Sequence, residues 1–156
     1  MTAATDITVK TWSELTPTEV YALAHLRTEV FLREQQCDDE ELDWRDLEPA
    51  TTHFLLPDAA SPKLRSYLRT LRRPWNEGGV SGELVIGRVV TDPAWRGHGL
   101  AGRLMDEVVA RHSGEPMMLH AQTYAAGLYV KSGFVPVGEE FDEGGIPHIT
   151  MVRPAD

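Results

Sequence analysis

The chain has 156 residues, 42% of them apolar and 25% charged, which is enough for one domain to bury a core without staples. Its 24 acidic and 15 basic residues give a formal charge of −9, the reverse of the basic face that non-specific nucleic-acid binding needs. The single cysteine, Cys37, excludes an internal disulfide and a Cys₂His₂-type zinc site, and no apolar run approaches the roughly 18–20 residues of a membrane span.

The opening MTAATDITVK has no apolar signal core, and with the lone cysteine this makes a reducing cytoplasm the expected compartment. Residues 7–12 alternate apolar and polar and predict an edge strand. Thr16-Pro17 is a helix start, a capping hydroxyl followed by proline at the first helical position. Val20, Leu23, Ala24, Val30 and Phe31 then recur at helical spacing. Arg27 lies on or beside that stripe. It either snorkels to solvent, the plainer reading, or anchors the acidic loop that follows. Between residues 34 and 48 eight carboxylates meet one basic residue, ordinarily a solvated loop. Leu42, Trp44 and Leu47 are interleaved there as apolar anchors, and Asp43 and Asp46 share a face if they form one helical turn, a pair suited to a cationic amine.

Residues 51–56 predict a short strand, 57–62 a turn, and 64–71 a half-exposed antiparallel strand with Arg65, Tyr67 and Arg69 on its outer face. That outer face explains the five basic residues among positions 63–73 better than a phosphate contact does. Residues 73–79 form a loop. Residues 84–91 are apolar and β-branched, a buried strand that Asp92-Pro93 ends. Leu100, Leu104, Met105 and Val108 mark a helix ending near residues 112–114. A buried strand follows over 116–121, with His120 in the core, then a short helix over 122–131 stopped by Gly133. Strands at 134–138 and 146–152 are joined by an acidic hairpin over 139–145.

The stretch ELVIGRVVTDPAWRGHGLA, residues 83–101, organises the rest as a strand, a glycine-bearing turn and a helix start. The first N–H groups of a helix lack intrahelical partners and the dipole favours negative charge there, so this is an anion site that glycines open to close approach. A Walker loop would need Lys-Ser/Thr after the glycines, and none follows. Gly97-His98-Gly99 with Gly102 matches the bare dinucleotide pattern. However, the parallel β-α-β frame is missing upstream, and no acidic residue ends the next strand. Taken alone the loop also reads as an ordinary strand–turn–helix with small residues for packing. With Arg96, Gly99 and Ala101 in place it resembles the acyl-CoA loop, Arg/Gln-x-x-Gly-x-Gly/Ala, of the Gcn5-related N-acetyltransferases (GNAT).

Residues 122–134 are similar to that family's second signature, Asn-x-x-Ala-x-x-Leu/Phe-Tyr-x-x-x-Gly-Phe. Ala125, Leu128, Tyr129, Gly133 and Phe134 match, and Gln122 replaces the asparagine. VFLREQQC (30–37), ELDWRD (41–46), His53, Ala121-Gln122 and FDEGGIPHITM (141–151) together resemble the ElaA-like branch, least so between residues 57 and 82. The resemblance implies one α/β domain over residues 1–156 with the GNAT acyl-CoA N-acyltransferase fold. That fold is a mixed, mostly antiparallel sheet of about six or seven strands, flanked by three or four helices and splayed near Thr91.

It further implies direct transfer of an acetyl group from acetyl-CoA to a primary amine, without a covalent enzyme intermediate or a metal. Val89, Val90 and Thr91 would offer backbone groups to the pantetheine. Arg96, Gly97, His98, Gly99, Leu100, Ala101 and Gly102 would hold the pyrophosphate, and Gln122 the cofactor through its amide. Tyr129 is similar to the family's general acid, its pKa of ~10 suiting proton delivery to a thiolate. The strand glutamate that serves many members as base is missing: this strand carries Glu83 at its outset and Arg88 deeper in. The base therefore comes from elsewhere or acts through water, the candidates being Glu34, Asp43, Asp46, His53, His120 and His148. Glu34 leads through resemblance, and Asp43, Asp46, His53 and His148 are assigned to the acceptor side. The acceptor is a small-molecule or peptide amine, and a homodimer through the C-terminal strands is plausible. The other reading of the fold is a non-catalytic acyl-CoA-binding regulatory module.

Overall fold

A computed structural model describes residues 6–73 and 83–156, and the loop expected over 73–79 falls, past Arg73, outside the described residues. The capping signal at Thr16 acts reciprocally. Its hydroxyl accepts from the Glu19 N–H (3.1 Å), and the Glu19 carboxylate accepts from the Thr16 N–H (2.8 Å), which starts helix α1 (Pro17–Arg27). The helix then widens into a π-helix (Thr28–Glu34), where Gln35 N–H donates five residues back to Val30 O. That extra residue per turn carries Gln35 toward the centre of the sheet.

Seven strands among the described residues form one open sheet: β1 (Thr8–Thr11), β2 (Thr52–Pro57), β3 (Leu64–Arg73), β4 (Glu83–Thr91), β5 (Met117–Gln122), β6 (Val135–Glu143) and β7 (Ile146–Arg153). Their spatial order is β1-β2-β3-β4-β5-β7-β6, and every pairing is antiparallel except β4 with β5. A dinucleotide-binding fold, which needs a parallel sheet, is thereby ruled out. Ala22, Leu23, Leu26 and Val30 cover one face, against Leu55, Leu64, Tyr67 and Val90. Helix α2 (Leu100–His112) covers the other, its Leu100, Leu104, Met105 and Val108 stripe packing on Leu84, Ile86, Met117, Leu119 and Met151. Each fully buried leucine there contributes about 1.5–3 kcal/mol. The short helix α3 (Ala126–Val130) follows a 3₁₀ turn, so the helix expected over 122–131 is half that length, with Gln122 still in the strand.

Two expectations are corrected. Strand β3 is buried on both faces rather than half exposed, because it sits centrally between α1 and α2. The acidic hairpin is strand as far as Glu143, leaving Gly144-Gly145 as the turn.

The sheet also opens. β4 and β5 pair only at Leu84–Met117, Val85–Met118 and Ile86–Leu119. On the other side of β4 the register jumps, with Tyr67 facing Val90 and Arg69 facing Gly87, so Arg88 and Val89 together oppose Leu68. Arg88 takes φ +54 in this bulge. A bulge bends its strand and increases local twist, which turns the second half of β4 away from β5. The splay begins past Ile86, earlier than Thr91.

Candidate active site

At the end of β4, the Asp92 carboxylate accepts from Ala94 N–H (2.8 Å) and seats the Pro93–Trp95 turn. Gly97 and Gly99 then take φ +83 and φ +71, and a Cβ at either would meet no atom within 4 Å. Open space thus lies before a backbone only glycine adopts cheaply, at the start of a 13-residue helix. This cradle and donor set fit the pyrophosphate of an acyl-CoA. Ala101 lines the cavity behind the loop, Gly102 packs toward Leu128, and the Leu100 side chain belongs to the core, leaving its N–H for a ligand. His98 is exposed with its ring edge-on to Trp95. Arg96 forks onto Glu34, with both nitrogen–oxygen distances 2.7 Å.

Glu34, expected as the base, borders a different groove from Tyr129. Arg96 holds its carboxyl below the usual range, and it sits in a groove with His25, Arg33 and Lys63, not beside Tyr129. Gln122 is also engaged otherwise, its Nε2 donating to Gln35 Oε1 (2.8 Å).

The splay between β4 and β5 is the mouth of a cavity of about 540 Å³. Val89, Val90, Thr91, Ala101, Gln122 and Tyr129 border it, which brings the expected pantetheine strand and acid together with one residue of the loop, Ala101. Tyr129 is 7% exposed, and its hydroxyl makes no hydrogen bond among the described residues. Burial pushes its pKa well up, with Tyr124 adding to the effect.

The acidic loop is built the opposite way round from the reading of its apolar residues. Leu42, Trp44 and Leu47 are exposed, Trp44 at 75%, while Glu41 and Asp46 are buried. Arg27, 0% exposed, is the anchor rather than a snorkelling side chain: it donates to Glu41 Oε2 (2.9 Å), Glu41 O (2.7 Å) and Asp46 Oδ1 (2.6 Å). Asp43 and Asp46 do converge, but on Arg69, which reaches Asp43 Oδ2 at 2.6 Å and Asp46 Oδ1 at 2.8 Å. Arg88 adds a contact of 2.7 Å to Glu41 Oε2. Burial opposes the Asp43 charge, but Arg69 and Arg88 outweigh it and hold the pKa down to about 2. At Glu41 burial prevails and pushes the pKa up. Of the expected acceptor residues, Asp43 and His148 border the cavity. Asp46 and His53 do not. His53 is wholly buried between Tyr67 Oη (2.7 Å) and Asp46 O (3.0 Å), and burial lowers its pKa.

His120 is not a core residue. It borders the cavity with Nδ1 3.1 Å from Glu143 Oε1. Glu143, Arg69 and Arg88 had no role in the sequence reading. Alternation along β5, which sets Met118, His120 and Gln122 on one face, was the available signal for His120.

An open sheet that parts beside a glycine-bearing helix start is the acyl-CoA N-acyltransferase fold. A crystal structure of an acyl-CoA N-acyltransferase from Pseudomonas aeruginosa superposes with a TM-score of 0.82 at 39% identity, over 96% of this chain and 99% of that one. The acetyltransferase (GNAT) domain family matches residues 25–154, and the chain belongs to that family, in its ElaA-like branch. Protein ElaA of Escherichia coli is 37% identical over 90% of this chain and 91% of its own, and its crystal structure superposes with a TM-score of 0.82, at 34% identity over 94% and 98%. A UPF0039 protein of Mycobacterium tuberculosis is 38% identical over 93% of this chain and 91% of its own. Acyl transfer is the general chemistry that this family and these structures support.

Proposed function

We propose that the chain transfers an acetyl group from acetyl-CoA directly to a primary amine. The observation that carries this reading is the single cavity in which Val89–Thr91, the start of α2 and Tyr129 meet. A thioester held along the splayed strand, with its phosphates at Gly97 to Gly102, brings its sulfur toward the Tyr129 hydroxyl. That hydroxyl, at the cavity wall on a largely buried ring and kept protonated, supplies the proton a leaving thiolate needs. Arg96 is positioned to exchange Glu34 for a phosphate oxygen at little cost, because the pair is exposed. A purely binding module on this fold has no use for a tyrosine hydroxyl presented at the cavity wall without a protein hydrogen-bond partner.

Thermal unfolding with and without acetyl-CoA tests the reading in wild type and in Gly99→Glu. Acetyl-CoA bound only to the folded state stabilises it by mass action, about 2.7 kcal/mol at 100 times Kd, and so raises the midpoint. The expected result is a rise in wild type that disappears in Gly99→Glu, whose added charge repels the phosphates and whose strained φ also lowers its unliganded midpoint. Tyr129→Phe should keep the rise while losing about 10²–10⁴-fold in kcat. A Tyr129→Phe variant with unchanged kcat would remove the acid role, and wild type without a midpoint rise would remove the acyl-CoA site.

A further inference from the structure

Strand alternation sorts β5 into two faces. Leu119 and Ala121 pack with Tyr129 in the core beneath α2, so His120 between them looks to the opposite face. It follows Leu119, the last β5 residue paired with β4, which sets its ring at the opening itself. The cavity thus crosses the sheet, with Tyr129 reaching it from one face and His120 from the other.

The ring is held in place. Its edge meets Phe141 at 5.0 Å and 77°, and Phe141 stacks on His148 at 6.0 Å and 28°. A carboxylate only accepts, so the Nδ1 facing Glu143 carries the proton and Nε2 of the neutral ring keeps its lone pair. His148 closes from the far side. Its Nδ1 donates to Ile146 O (2.7 Å), and its Nε2 lies 3.6 Å from the second Glu143 oxygen. Glu143 lies between the two rings, and the His120 hydrogen bond foremost holds its carboxyl below the usual range. Arg88 on β4 and Cys37, Asp39 and Glu41 on the acidic loop face the same space. The three side chains are not among any group placed to hold a metal ion within the described residues.

We propose that His120 Nε2 is the general base of the transfer, with Glu143 as a positioning residue; this rests on the acyl-transfer reading above. Nε2 takes one proton from the acceptor ammonium. The freed lone pair forms the C–N bond at the thioester carbonyl, the C–S bond breaks, and the sulfur takes the Tyr129 proton. The second proton leaving the new amide nitrogen restores Tyr129, and His120 returns its own proton to solvent. An acid on one face of the sheet and a base on the other attend the two ends of the reacting carbon.

The test measures kcat and kcat/KM against pH for wild type, His120→Asn and Glu143→Gln, using the best acceptor from a panel of a diamine, an aminoglycoside and a dipeptide. Acetyl-CoA-dependent unfolding midpoints and an NMR titration of the His120 Cε1–H in the ligand-free protein accompany it. His120→Asn should lose about 10²–10⁴-fold in kcat, keep the midpoint rise, and lose the acid limb of kcat/KM. Glu143→Gln should move that limb, and the His120 titration, to lower pH, since the carboxylate favouring the imidazolium is gone. Wild-type kcat with an unchanged acid limb in His120→Asn overturns the base while leaving acyl transfer standing. A wild type that gains no midpoint from acetyl-CoA overturns acyl transfer and this proposal together. A His120 titration unmoved by Glu143→Gln overturns the part given to Glu143.

Discussion

Arg27 is the residue on which the acidic loop depends. It has no exposure and spends three donors on Glu41 and Asp46, so removing it leaves Asp46 to Arg69 and Glu41 to Arg88 alone and opens a buried gap between them. Breaking one side of a buried ion pair typically costs about 3–5 kcal/mol. Arg27→Ala should lose that much in urea unfolding, and Arg27→Lys less, because an ammonium keeps the charge but cannot reproduce the planar fork. A loss below 1 kcal/mol would mean that the loop is held elsewhere. Helical spacing put Arg27 at the edge of an apolar stripe, and spacing cannot tell a side chain that leaves the protein from one that crosses it. The carboxylates that decide the matter lie 14 and 19 residues downstream.

At the scale of elements, the turn between α3 and β6 sets where Tyr129 stands. Gly133 takes φ +91, its N–H donates to Val130 O (3.0 Å), and Phe134 N–H donates to Tyr129 O (3.1 Å). A Cβ there would meet Arg153 Nε at 3.0 Å. Gly133→Ala should therefore lose about 1–3 kcal/mol in denaturant unfolding through the forced φ alone. An unchanged midpoint would show that the turn adapts. Element types were legible from local chemistry: the Thr16 cap, the α2 stripe and the Gly133 stop each act over a few residues. The burial of β3 on both faces was not, since alternation on one strand does not reveal that helices cover both sides.

For the whole molecule, pH reports the buried network. Asp46 O can only accept, so His53 Nε2 carries a proton and Nδ1 accepts from the Tyr67 hydroxyl. Burial lowers the folded pKa of His53 beneath the unfolded ~6.5, so the unfolded state binds more protons as pH falls through that value and stability drops. Asp43 adds a second loss. Its unfolded carboxyl protonates near ~4 while the folded one stays ionised down to about 2. Glu41, pushed up by burial, works in the opposite sense: it adds stability as pH falls from its raised pKa to the unfolded ~4.3, before the Asp43 loss begins. The unfolding midpoint should fall from pH 7 to 5 and again below ~4, and His53→Gln should flatten the first decline. A wild-type midpoint level between pH 7 and 5 would dissociate His53 from acid sensitivity.

By itself the sequence determined the order of elements, the glycine-bearing loop at the start of α2, and the tyrosine that shares its cavity. Those signals are local: backbone freedom at Gly97 and Gly99, an apolar period, a motif within a dozen residues. Only the tertiary structure decided which charges are spent and which are available. Glu34 is taken by Arg96, 62 residues away, and Asp46 by Arg27 and Arg69, while His120 leaves the core to meet Glu143, 23 residues on. Ion pairs and strand divergence join groups distant in the chain, and composition and spacing carry no record of which acid meets which base.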